Sequence, residues 1–153
     1  MNIANFIFFI YLLTFSAHAE YLQQWIVIKV LDGDTIDVQK QDVKRVRLSD
    51  IDAPERKQPF GIKAKELLAK KILYKSVDIK TNSTDKYGRY IGTVFFNGEN
   101  INRMMVSKGA AWVYGVYCKD KAMYALEMKA RISRIGLWEE GNPVEPWVFR
   151  LSP

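Results

Sequence analysis

Short β-prone runs broken by turn pairs, with a helical period entering only once among them, limit what this chain can fold into. Residues 25–29 alternate polar and apolar, and residues 35–38 repeat the pattern after Asp32-Gly33, a pair that favours a two-residue type I′ hairpin turn. A third strand is expected over 44–51. Residues 76–81 and 90–96 read as the fourth and fifth, joined through 82–89, and Asn97-Gly98 closes the last. Over 60–73 the period changes: Ala64, Leu67, Leu68 and Ile72 recur at helical spacing while Lys63, Lys65, Lys70 and Lys71 take the other faces.

Five short strands, a helix after the third and helices at the end match a β-barrel with helices: an α+β, five-stranded Greek-key barrel of the OB type with about three α-helices. Asn100 is placed to cap a short helix that turns Ile101, Met104 and Met105 inward and ends at Gly109. Asp120 is placed to cap a longer helix running to Ile135 and ending at Gly136. The tail, with Leu137-Trp138 and Pro146-Trp147-Val148-Phe149-Arg150, is too aromatic for a disordered terminus and is expected to pack back as a plug.

Residues 1–19 read as a signal peptide, because 6–17 is almost wholly apolar, short for a bilayer span, and followed by Ala17-His18-Ala19, an A-x-A cleavage pattern. Residues 20–153 are then a single domain, secreted or periplasmic, with a retained membrane anchor as the alternative. The leader holds no Asp, Glu, Lys or Arg, so the formal charge of +6 lies wholly beyond it and favours polyanionic partners. Cys118 is the single cysteine, which excludes an intrachain disulfide and reads as a structural thiol.

His18, in the leader, is the only histidine. Ser-His-Asp, Cys-His and histidine-zinc chemistry are excluded together. Any general base is a carboxylate, lysine or tyrosine, and any metal takes oxygen ligands, which selects calcium, magnesium or manganese.

Against that background Arg47-Leu48-Ser49-Asp50-Ile51-Asp52-Ala53-Pro54-Glu55 stands out. Arg47, Asp50 and Asp52 are the polar members of a run shared with Leu48 and Ile51 and broken by Ser49, which suggests a strand carrying an arginine and carboxylates into a cleft and stopped by Pro54. A carboxylate pair, Asp32 and Asp34, lies upstream, and Arg89 follows in Asp85-Lys86-Tyr87-Gly88-Arg89. Asp32 reads as a turn residue, whereas the turn does not require Asp34. Acids to hold a metal, a spare acid as base and two arginines to hold a phosphate make a phosphodiester-cleaving site. The plainer alternative is an ion pair between Arg47 and Asp52, with Glu55 as a first-turn helix acid.

Asp32-Gly33-Asp34-Thr35, the run from Arg47 to Glu55, and Asp85-Lys86-Tyr87-Gly88-Arg89 resemble, in order and spacing, the three signatures of the thermonuclease (staphylococcal nuclease-like) family. The resemblance implies an OB-fold, calcium-dependent endonuclease that attacks DNA and RNA with water and leaves 3′-phosphate and 5′-hydroxyl ends. It further implies that Asp34, Asp52 and the backbone carbonyl of Ala53 hold Ca²⁺, that Glu55 is the general base, and that Arg47 and Arg89 bind phosphate. Tyr87, with Tyr114 or Tyr117, would lie beside substrate. Asp85, Lys86 and Gly88 would shape the turn that aims Arg89. Nothing in the sequence calls for more than a monomer. The rivals are a non-catalytic OB-fold nucleic-acid-binding module and a phosphoesterase of small nucleotides.

Overall fold

The computed structural model describes residues 24–115, 118, 120–139 and 141–151. Alternation is what builds the sheet: Ile36 and Val38 on one strand, Val46 and Leu48 on the next, and Val77 and Val94 further on are all fully buried. Strand β1 (Gln24–Val30) pairs antiparallel with β2 (Thr35–Gln39), and β2 with β3 (Val43–Leu48). On its other edge β1 pairs with β5 (Ser76–Thr84), which pairs with β6 (Tyr90–Phe96). A parallel pairing of β3 with β6 closes these five strands into a barrel of OB type. An irregularity between Val27 and Lys29 accounts for β1 burying Val27 and Val30, three apart rather than two.

Two expectations about the first half of the barrel need correction. The β1–β2 connection is not a type I′ turn, since neither Asp32 nor Gly33 has a positive φ. Instead the Leu31 N–H donates to the Thr35 carbonyl at 2.9 Å across a three-residue loop, and Asp32 Oδ1 accepts the Asp34 N–H at 3.0 Å. The glycine is required by crowding: a Cβ on Gly33 would lie 2.6 Å from that of Ala53 and 3.0 Å from that of Ala64.

The expected third strand over 44–51 is two pieces. It ends at Leu48, turns through Ser49 and Asp50, the latter at φ 63°, and resumes as β4 (Ile51–Asp52), paired antiparallel with β8 (Trp112–Val113). The alternation read across this run therefore does not describe one continuous face.

Helix α1 (Gly61–Ile72) buries Ala64, Leu68 and Ile72, as its period requires. Asn97, φ 50°, and Gly98, φ 77°, make the tight turn from β6 to β7 (Glu99–Asn100). Asn100 caps α2 (Ile101–Ser107) by accepting the Arg103 N–H, and Asp120 caps α3 (Lys121–Ile132) by accepting the Ala122 N–H. Helix α3 stops three residues short of the expected Ile135, where Arg134 takes a left-handed φ of 50°. A 3₁₀ turn, Gly136–Glu139, follows, and a single-turn helix α4 (Pro146–Phe149) ends the described chain near Arg150.

The aromatic tail packs back, as expected. Trp112 meets Trp138 edge-on at 4.3 Å and Trp147 at 5.9 Å, with the Arg131 guanidinium 4.2 Å from the Trp138 ring centre. Among the described residues no helix is long and apolar enough to cross a membrane. The leader, 1–19, and Tyr117 lie outside the described residues.

Candidate active site

The turn at Ser49-Asp50 sets the site, and it is held from several sides. The Ser49 N–H donates to the Gly92 carbonyl at 2.8 Å and the Tyr114 N–H to the Asp50 carbonyl at 2.9 Å. Beneath them lies Asn102, fully buried on α2. Its Nδ2 donates to the carbonyls of Ser49, at 2.9 Å, and Gly92, at 3.2 Å, while its Oδ1 accepts the Val94 N–H at 3.1 Å. The backbone leaving β3 is thereby fixed where it reverses, and Asp52 is delivered two residues later.

Asp34 and Asp52 then converge on one arginine. Arg47 Nη1 pairs with Asp34 Oδ2 and Nη2 with Asp52 Oδ1, both at 3.0 Å, so the plainer ion-pair reading of Arg47 and Asp52 describes a real contact. Asp34 Oδ2 also accepts the Ala53 N–H at 2.7 Å, and its Oδ1 accepts the Thr35 hydroxyl at 2.9 Å. Burial pushes the Asp34 carboxyl up to about 7, against the pull of Arg47, and nearby Asp32 adds to the rise.

Arg89 is held differently. Asp85 Oδ1 accepts the N–H groups of Tyr87, at 2.9 Å, and Arg89, at 3.0 Å, and its Oδ2 accepts Arg89 Nε at 2.8 Å. The turn residue thus grips the guanidinium through Nε, and among the described residues no other carboxylate forms an ion pair with Arg89. Although burial opposes it, these hydrogen bonds hold the Asp85 carboxyl below its usual value. Tyr87 is exposed, its ring centre 5.7 Å from the Arg89 guanidinium.

Asp34, Arg47, Asp52, Ala53, Glu55, Tyr87, Arg89 and Tyr114 all line a single cleft of about 670 Å³. Every site residue expected from the sequence reaches it except Tyr117, which lies outside the described residues. Two contributors went unread. Gln58 is buried, accepts the Glu55 N–H at 2.7 Å and donates to the Val144 carbonyl at 3.0 Å, tying the loop after Pro54 to the tail. Arg150 reaches in from the tail: its Nη2 meets Asp52 Oδ2 at 2.8 Å and its Nη1 meets Glu55 Oε1 at 2.8 Å.

Residues 45–140 match the sequence model of the family described as staphylococcal nuclease homologue. The chain belongs to the staphylococcal nuclease-like family. It is a nuclease, a hydrolase whose substrate is nucleic acid. Among its relatives, a micrococcal nuclease of Shigella flexneri is 44% identical over 139 residues, covering 82% of this chain and 79% of the relative. Protein ParB of Escherichia coli is 44% identical over 137 residues, covering 81% and 77%. An uncharacterized endonuclease of Escherichia coli O157:H7 is 41% identical over 126 residues, covering 81% and 82%. The matched family region contains Arg47, Asp52, Glu55 and Arg89, and Asp34 precedes it.

Proposed function

We propose that this nuclease is an exported endonuclease, dependent on calcium, that hydrolyses DNA and RNA to 3′-phosphate and 5′-hydroxyl ends. The convergence of Asp34, Asp52, Glu55, Arg47 and Arg89 on one cleft carries the reading. Export rests on the leader-like pattern of residues 1–19.

The donor set fits a hard divalent cation. It is made of oxygen alone, and burial raises the Asp34 carboxyl even with Arg47 beside it, a cost that a bound cation would offset. Asp34, Asp52 and the Ala53 carbonyl would hold the ion. When bound, calcium supplies a Lewis acid for a phosphoryl oxygen.

The remaining steps belong to the chain. Glu55 follows Pro54 at the cleft wall, half exposed, and serves as the carboxylate that orients a water and takes its proton at Oε. Arg89 presents a planar fork to the phosphate oxygens, and Arg47, held by Asp34 and Asp52, turns part of its guanidinium to them once a cation takes over those carboxylates; these contacts matter most as charge builds on five-coordinate phosphorus. Tyr87 and Tyr114, on the cleft rim, flank the substrate strand.

Digestion of single-stranded and duplex DNA and of RNA, with calcium, magnesium or a chelator, tests the proposal. Cleavage is expected with calcium, to be lost in the chelator, and to fall by on the order of 10² to 10³ in Glu55→Gln and in Arg89→Ala. Intact nucleic acid in every lane, from folded protein that still binds it, would make the chain a binding module instead.

A further inference from the structure

Arg150 is brought to the cleft by the best-anchored part of the tail. Trp147, three residues before it, packs on Trp112 and lies 5.6 Å from Tyr114, and the Gln58 bond to Val144 fixes the segment ahead of α4. Its guanidinium spans the two carboxylates that the proposed function uses differently, Asp52 as an ion ligand and Glu55 as base. Nη2 lies 2.8 Å from Asp52 Oδ2, and Nη1 lies 3.3 Å from Asp52 Oδ1 and 2.8 Å from Glu55 Oε1.

A count of acceptor sites shows what this contact occupies. Asp52 Oδ1 already accepts Arg47 Nη2 at 3.0 Å, so with Arg150 both of its lone-pair positions are taken. At Oδ2 Arg150 is the partner. The Asp52 side chain is 3% exposed and that of Arg150 45%, so the buried carboxylate is fixed while the guanidinium has solvent to move into.

A count of charge says when it would move. Asp34, Asp52 and Glu55 bring three negative charges when ionised, against the two positive charges of Arg47 and Arg150. A divalent ion on Asp34 and Asp52 would add two positive charges beside the carboxylate that Arg150 grips. The guanidinium is then repelled by the cation that shares its partner.

We propose that Arg150 is a tethered stand-in for the cation: it holds Asp52 and Glu55 until a divalent ion enters, and ion and guanidinium then compete for Asp52. The proposal rests on the metal-dependent reading above. Its consequence is a weakened apparent affinity for the ion, because the binding-competent arrangement is only a fraction of the whole. It also gives Glu55 a partner that is withdrawn when the ion arrives, leaving its carboxylate open to water.

The test is calcium binding without substrate, measured by titration calorimetry on the full chain and on Arg150→Met and Arg150→Lys. Arg150→Met is expected to bind calcium about tenfold more tightly, with Arg150→Lys in between, since lysine keeps the charge but loses the fork. Thermal unfolding provides a second readout: Arg150→Met should be less stable than the parent in chelator, and the gap should close in saturating calcium. Equal or weaker calcium affinity in Arg150→Met would overturn the exchange and leave Arg150 as a fixed staple of the tail, with the metal reading intact. Absence of calcium binding to parent and variants alike would overturn both.

Discussion

At the scale of single residues, Asp34 is the site's most perturbed acid, and the perturbation has a sign. Burial raises its carboxyl to about 7 from the ordinary 3.8, so between these values the folded chain keeps a proton that the unfolded chain releases. The unfolded state then binds fewer protons, and stability falls as pH rises through that window, levelling off above it. Asp34→Asn removes the effect. In chelator, urea unfolding at pH 4.5, 6 and 7.5 is therefore expected to show the parent losing stability relative to Asp34→Asn, by at most about 4 kcal/mol over the window. Parallel pH profiles would show that Arg47 and the Ala53 N–H keep the carboxylate ionised throughout. Asp34 was singled out in the sequence as an acid that a two-residue turn through Asp32-Gly33 would not need, although the loop runs through all three residues; Arg47, Asp52, Glu55 and Arg89 were singled out by their spacing and by the family resemblance. Arg150 was not, since 95 residues separate it from Glu55 and only the packing of the tail joins them.

At the scale of elements, the five barrel strands and α1 were legible in outline from β-prone runs, turn pairs and the helical period, whereas the break after Leu48 was not. A left-handed residue inside a run of mixed polarity leaves no mark on the hydrophobic pattern, and Asp is one of the few non-glycine types that takes this conformation readily. What stabilises the break is also hidden in the sequence: Asn102 lies in the first turn of α2 among Ile101, Met104 and Met105, and its amide bonds are all tertiary. Asn102→Ala should therefore act on two things at once. It leaves the Val94 N–H and the Ser49 carbonyl without their partner in the core, at about 1–3 kcal/mol, and it loosens the turn that aims Asp52. Urea unfolding and cleavage rate should both fall in this variant, with KM changing less than kcat. A destabilised variant with undiminished kcat would show that β4 and β8 hold Asp52 without the amide.

At the scale of the whole molecule, barrel strands, their connecting loops and the tail wall one cleft: the loop before β2 brings Asp34, β3 brings Arg47, the turn after β5 brings Arg89, and the tail closes the rim with Arg150. The +6 formal charge is a property of the same scale, and its meaning for substrate size can be tested. A polymer releases condensed counterions when its phosphates meet Lys and Arg, so its capture weakens as a power of salt concentration, whereas a short phosphodiester has almost no condensed layer to release. Contact with about three phosphates of a single strand predicts a loss of roughly twentyfold in kcat/KM between 50 and 200 mM salt. For a dinucleotide the loss should be slight, and for the polymer it should fall mainly on KM. Equal salt dependence for both would place the effect of salt inside the cleft, on the ion pairs of Arg47 and Arg150, and would favour an enzyme of small phosphodiesters over one that draws in long strands.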